Sequence, residues 1–264
     1  MDKHRKLLKR LKLTRIHNEL DDILTKARKA RMSPQEILEF ALGLEVERRE
    51  VRRVELGMTL ANFPRYCTLE DFDFDFVPAL NEGQIRDLAR LDWVREARNI
   101  LFLGQPGVGK THLAIALGRE AVKAGFNTTF VSAAELVKQL SEAWNAGTFE
   151  QKLLKYTKPK LLIIDELGYQ PMGSGITQLM FQLVSARYER GSIVLTSNLD
   201  VSVWSNIFGD PTGTTAILDR LLHHSNIIQI VGDGYRLHEK NREGLFTSPT
   251  AQSGDDVNNA ITAG

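Results

Sequence analysis

The run Gly104, Gln105, Pro106, Gly107, Val108, Gly109, Lys110, Thr111, followed by His112, carries the clearest chemistry in the chain. It fits the pattern G-x-x-x-x-G-K-[ST], with an apolar stretch before it and a helix-forming stretch, HLAIAL, after it. Glycines let the backbone close around phosphate oxygens, and the amide groups of the loop and helix start then point at the anion. Lys110 has the length to reach the β- and γ-phosphates, and the Thr111 hydroxyl is a ligand for Mg²⁺. The pattern predicts a site for ATP with Mg²⁺ built from residues 104–112.

A second run, Leu161-Leu162-Ile163-Ile164-Asp165-Glu166, places two acids at the end of an apolar strand. In open α/β sheets that end is where ligands bind. Asp165 is expected to hold Mg²⁺, through water, and Glu166 to polarise an attacking water as general base. An acid directly after the metal-holding aspartate argues for hydrolysis over transfer to a small acceptor. A third run, Ser192–Asn198, is a strand ending in polar residues. Two readings fit Asn198: a side chain that orients water near the γ-phosphate, or a strand-to-loop turn.

These residues need a scaffold. Short apolar runs at Ile100–Leu103, Asn127–Val131, Leu161–Ile164, Ser192–Leu195 and Ile227–Val231 alternate with helical stretches. That alternation predicts an α/β fold, a parallel sheet with helices on both faces. Asn81 is placed to cap a helix over 82–97, with Ile85, Leu88, Leu91 and Val94 inward. Ahead of it, residues 61–80 are aromatic and proline-bearing (Phe63, Pro64, Tyr66, Phe72, Phe74, Phe76, Pro78) and read as a linker docked on the ATPase domain of 81–246. Residues 247–264 are polar and read as a disordered tail.

Residues 1–60 read as a small all-α domain of three or four helices. Ser33-Pro34-Gln35-Glu36 forms a helix start with a capping box. Ile37, Leu38, Leu42, Leu44 and Val46 supply an apolar stripe, and Gly57 is expected to end the helix. The chain of 264 residues carries 34 basic and 33 acidic side chains, but the first 31 positions are strongly basic. Lys6, Lys9, Arg10 and Lys12 stand among few acids; Arg49, Arg52 and Arg53 are interleaved with glutamates. A basic helical face fits phosphate binding, and equally a solvated surface with internal ion pairs. The single cysteine, Cys67, excludes an internal disulfide and reads as an ordinary buried residue. With charges continuing past the N-terminus and no long apolar span, the expectation is a soluble, cytoplasmic chain without membrane contact.

The order GQPGVGKTHLAIAL, LLIIDELGY, IVLTSN and FGDPTGTTAILDRLLHHSNIIQIVGDGYRL resembles the IstB-like ATP-binding proteins. These are AAA+ helpers of insertion sequences of the IstA/IstB type, related to the helicase loader DnaC. The resemblance extends upstream through FPRYCTLEDFDF and covers nearly the whole chain before about position 246. It implies an AAA+ core with strand order 5-1-4-3-2 and a helical N-terminal domain that binds DNA and supports oligomerisation. It makes Asn198 the sensor that orients water, and Arg220 an arginine finger for a neighbouring subunit's site. It places Lys138, Lys152 and Lys155 where relatives line a DNA-binding pore, and the segment Tyr66–Phe76 over the adenine. After Arg236 there is no room for the usual helical lid, so a neighbouring subunit is expected to complete the site; no role is assigned to Arg236. The function implied is an ATPase that oligomerises on duplex DNA and recruits a partner transposase of the IstA type. The alternative is a DnaC-like replicative helicase loader.

Overall fold

The computed structural model describes residues 3–168 and 174–232. It begins with three helices, α1 (Lys3–Arg10), α2 (Thr14–Ala30) and α3 (Pro34–Ala61). The start of α3 is the capping box expected: Ser33 accepts from the Glu36 amide, and the Glu36 carboxylate accepts from the Ser33 amide. The helix does not stop at Gly57. It continues to Ala61 and ends on Asn62 in the left-handed conformation. Gly57 serves close approach instead, since a Cβ there would stand 2.7 Å from Val122 Cγ1 in the first helix after the phosphate loop.

The apolar stripe of α3 also differs from the expected one. Leu38, Leu42 and Val46 are exposed, whereas Phe40, Ala41 and Leu44 pack on Ile16 and Ile23 of α2. The physical reason is Glu45, which is only 2% exposed and faces α2. Its carboxylate accepts from the Arg15 amide at 2.7 Å, at the start of α2, and pairs with Arg48 and Arg49. This carboxylate takes the place of a capping residue for α2, whose own N-cap, Leu13, has no side-chain oxygen.

The aromatic segment then wraps the α/β core. Cys67, Leu69, Val77 and Leu80 are buried there, with Phe63, Phe72, Phe74 and Phe76 packed around them. The helix expected over 82–97 is two pieces, α4 (Glu82–Leu88) and α5 (Asp92–Arg95). Leu91 lies between them at φ 66°, and the Trp93 indole donates to the Leu88 carbonyl across the break. Ile85, Leu88, Leu91 and Val94 still all point inward.

Five parallel strands follow: β1 (Asn99–Gly104), β2 (Thr128–Ser132), β3 (Leu161–Leu167), β4 (Ser192–Ser197) and β5 (Ser225–Ile230). Their order is β2-β3-β4-β1-β5, which read from the other edge is 5-1-4-3-2. The intervening helices are α6 (Lys110–Lys123), α7 (Ala133–Asn145), α8 (Phe149–Thr157), α9 (Ser174–Arg187), α10 (Trp204–Phe208) and α11 (Pro211–Leu222). One buried cluster joins the sheet to α6 and the aromatic segment, and a second joins it to α7–α11. Burial on both faces explains why the central strands β1, β3 and β4 are nearly continuous apolar runs, whereas the edge strand β5 is partly exposed.

Arg187 locks one end of this sheet. It is 1% exposed and donates to the carbonyls of Tyr156, Pro159, Lys160 and Ser192, tying α9 to the entries of β3 and β4. Among the described residues no helix is long and apolar enough to cross a membrane. Arg236 and the tail 247–264 lie outside the described residues.

The clamp on α2 is pH-sensitive in a defined direction. Burial disfavours the Glu45 carboxylate, but the Arg15 and Ile16 amides and the charges of Arg48 and Arg49 outweigh it and hold its pKa below the ordinary glutamate range. A depressed folded-state value means stability present above the unfolded pKa of about 4.3 and lost as pH falls through the folded value. Glu45→Ala is expected to weaken α2 by about 1–2 kcal/mol at neutral pH. Hydrogen exchange of α2 amides checks this; protection should drop in the variant, and in the wild type only in acid.

Candidate functional site

The end of β1 and the start of α6 frame a cavity of about 390 Å³ at the carboxyl ends of the strands. Pro106, Gly107, Val108, Gly109, Lys110, Thr111 and His112 line it, with Glu166, Thr196 and Asn198 from β3 and β4 and Phe72, Asp73 and Phe76 from the aromatic segment. Gly104 and Gln105 lie behind it, and their carbonyls each accept from Lys110 Nζ at 2.7 Å. Gly104 adopts φ 149°, and a Cβ there would collide with the Ile230 carbonyl of β5. Glycine is therefore required for strand packing as well as for the loop.

Asp165 and Thr111 meet directly, with Thr111 Oγ1 donating to Asp165 Oδ1 at 2.8 Å. The same carboxylate oxygen accepts from Thr196 Oγ1 at 2.6 Å. Thr196 Oγ1 in turn accepts from the Glu166 amide at 2.8 Å. One hydroxyl of β4 thus bridges both acids of β3. The register between β3 and β4 shifts between Ile164 and Leu167, and Glu166 takes φ 62° within that irregularity. The bulge turns the Glu166 side chain out of the sheet into the cavity, while Asp165 stays buried. Asn198, just past β4, lines the same cavity. Its Oδ1 is buried without a hydrogen-bond partner among the described residues.

His112 lines the cavity edge, but its Nε2 is engaged with the Thr68 carbonyl at 2.7 Å and its ring packs edge-on to Phe72. It anchors the aromatic segment beside the phosphate loop. From that segment Arg65, Asp71 and Val77 also line the cavity, whereas Tyr66 is exposed and stacks on Arg119. The runs IVLTSN and FPRYCTLEDFDF contain Thr196 and Arg65 but do not by themselves assign either to the site. Only the spacing of Thr196 within IVLTSN, two residues before Asn198 and on the adjacent strand to Asp165, carries a signal.

Family comparison agrees with this geometry. A model of the family described as "IstB-like ATP binding protein" matches residues 6–243. The chain belongs to that family. It is 42% identical over 250 residues to the ATP-binding protein named for insertion sequence IS21 of Pseudomonas aeruginosa, covering 95% of this chain and 94% of that one. It is 43% identical to the counterpart named for IS5376 of Geobacillus stearothermophilus, over 79% of this chain and 83% of the relative. Among solved structures, the DnaC helicase loader aligns with TM-score 0.51 at 21% identity, covering 65% of this chain and 97% of that one. AMPPCP-bound DnaA from Aquifex aeolicus aligns at 0.55 and 19%, covering 72% and 58%. At such identities the structural matches speak for the fold, an AAA+ core.

The remaining expected site residues lie away from the cavity. Arg220, on α11, does not line this cavity. Its guanidinium sits 4.7 Å over the Phe181 ring of α9 and donates to the Ala216 carbonyl. Lys6, Lys9, Arg10, Lys12 and Arg52 are exposed on the helical region. Arg49 and Arg53 are committed internally: Arg49 to Glu45 and the Lys12 carbonyl, Arg53 to the Lys123 carbonyl. Lys155 donates to Gln139, while Lys138 is exposed and Lys152 half-buried.

The Thr196 bridge makes a specific expectation. Thr196→Val keeps the side-chain shape and removes the hydroxyl, leaving the Glu166 amide without this partner and Asp165 Oδ1 with Thr111 alone. ATP turnover should fall about 10–100-fold, with the Mg²⁺ requirement raised, while Thr196→Ser stays near the wild type. Steady-state ATPase assays across Mg²⁺ concentrations check this.

Proposed function

We propose that this chain binds ATP with Mg²⁺, hydrolyses it, and uses the nucleotide state to control an oligomer on duplex DNA that recruits a partner transposase. The observation that carries the ATPase part is the chain Thr111–Asp165–Thr196–Glu166, of which Thr111, Thr196 and Glu166 line one cavity. Residues 104–111 would cradle the phosphates, with Lys110 swinging from the Gly104 and Gln105 carbonyls to the β- and γ-phosphates. The oxygens at hand suit a hard cation: Mg²⁺ would sit on Thr111 Oγ1 and, through water, on Asp165. That ion would neutralise charge developing on the phosphates. Glu166, turned out by the bulge, would take the proton of the attacking water. Asn198, with its unpartnered Oδ1, would accept from the same water and fix its direction.

Arg220 supports a shared site. It lies outside the cavity of its own subunit, so its charge can reach a γ-phosphate only across a subunit contact. ATP would then favour the assembled state by a differential contact, and hydrolysis would remove it. The exposed Lys6, Lys9, Arg10, Lys12 and Arg52 support DNA binding through phosphates. Family membership and relatives named for insertion sequences favour transposition. The helicase-loader reading rests on the fold shared with DnaC, and a preference for single-stranded over duplex DNA would favour it.

Two inactive variants test the shared site. Lys110→Ala should abolish nucleotide binding, and Arg220→Ala should bind ATP but turn it over at least about 10³-fold more slowly. Mixing them pairs an intact cavity with an intact finger at some interfaces, so ATPase activity should partly return. No recovery on mixing, together with activity retained by Arg220→Ala alone, would contradict a finger acting across subunits. For the basic helices, Lys6→Ala, Lys9→Ala and Arg10→Ala each remove one cation that would neutralise a phosphate. Each should make the salt dependence of duplex affinity shallower by about one unit of log–log slope.

A further inference from the structure

At the opposite end of the sheet from the cavity, three potential metal ligands converge. Glu189 follows α9, while His223 and His224 follow α11 and lead into β5. One donor atom from each lies within 4.8 Å of the other two. His224 Nε2 stands 3.6 Å from Glu189 Oε1, and the two imidazoles are 4.0 Å apart centroid to centroid. The His223 ring is held from its other side. Its Nδ1 is 2.6 Å from the Tyr188 hydroxyl, and the two rings stack with planes 24° apart. The backbone fixes the group as well: Glu189 takes a left-handed φ of 57°, and the His224 carbonyl accepts from the Asn99 amide of β1.

We propose that Glu189, His223 and His224 form a site for a borderline divalent transition metal, with Zn²⁺ the fitting ion. Two neutral imidazoles and one carboxylate match the ligand preference of Zn²⁺, and three protein ligands leave a fourth position to water. Tyr188 acts as the outer partner. When His223 carries its proton on Nδ1 and donates it to the Tyr188 oxygen, Nε2 is left with a lone pair for the metal. Zinc holds such ligands at about 2.0–2.2 Å, so the donor atoms must draw together by roughly an ångström. The side chains are free to do so, since His224 is 48% and Glu189 60% exposed.

The ion would join the segment after α9 to the end of α11, the two helices between which Arg220 is held over Phe181. Neither histidine lies in the phosphate-binding cavity, so the site stands or falls independently of the ATPase reading.

The test is titration of the untagged full-length chain with Zn²⁺ against a chromophoric chelator, without nucleotide or Mg²⁺. One equivalent should bind saturably, and the wild type should melt at a higher temperature with Zn²⁺ than without. His223→Ala and His224→Ala should each weaken binding at least about 10-fold, and the outer-partner variant Tyr188→Phe by about 10-fold. Glu189→Gln should also weaken it. The replaced side chains have exposed positions or retain their rings, so circular dichroism of the metal-free variants should match the wild type. No saturable binding by the wild type, or unchanged affinity in the His223→Ala/His224→Ala double variant, would overturn the site.

Discussion

Asp165 Oδ1 accepts from a hydroxyl on α6 and from another on β4, and the candidate site is arranged around that shared oxygen. A buried carboxylate is costly unless its lone pairs are satisfied. Here the satisfaction comes from the residue that closes the phosphate loop and from the strand that separates β3 from β1. The loop, Asp165 and the strand carrying Asn198 therefore cannot shift independently. Because Thr196 also takes the Glu166 amide, the same oxygen indirectly fixes the bulge that presents Glu166 to the cavity. The left-handed backbone of Glu166 costs free energy, which the sheet on either side offsets.

Around this core the other constraints are of packing. The aromatic segment closes the cavity from the side, held by Thr68 against His112 and by Phe72 against the loop. The N-terminal helices attach through α3, whose close approach to α6 is made at Gly57 and near which Arg53 reaches the Lys123 carbonyl. That contact changes how the basic residues are read. Arg49 and Arg53 hold the helical region together and to the core, whereas Lys6, Lys9, Arg10, Lys12 and Arg52 are exposed.

Much of the architecture is legible in the sequence because it is local. A phosphate loop is a contiguous pattern, and the buried strands β1, β3 and β4 are contiguous apolar runs; all five strands lie within a few residues of their expected positions. Features that depend on a distant partner are not legible. The break at Leu91 follows from Trp93 reaching back to Leu88, and the continuation of α3 through Gly57 follows from α6. The packed face of α3 escapes apolar periodicity because an acid, Glu45, is buried there as a cap for another helix. Thr196 is hidden for a similar reason. Its place two residues before Asn198 gains meaning only once the sheet order sets β4 beside β3.

In the proposed function, the state of the nucleotide controls assembly. Mass photometry of the full-length chain on duplex DNA, with a non-hydrolysable ATP analogue or with ADP at equal concentration and salt, tests it most directly. Multi-subunit complexes should form with the analogue and disperse with ADP. Equal assembly in both states, or assembly unaffected by omitting nucleotide, would contradict it.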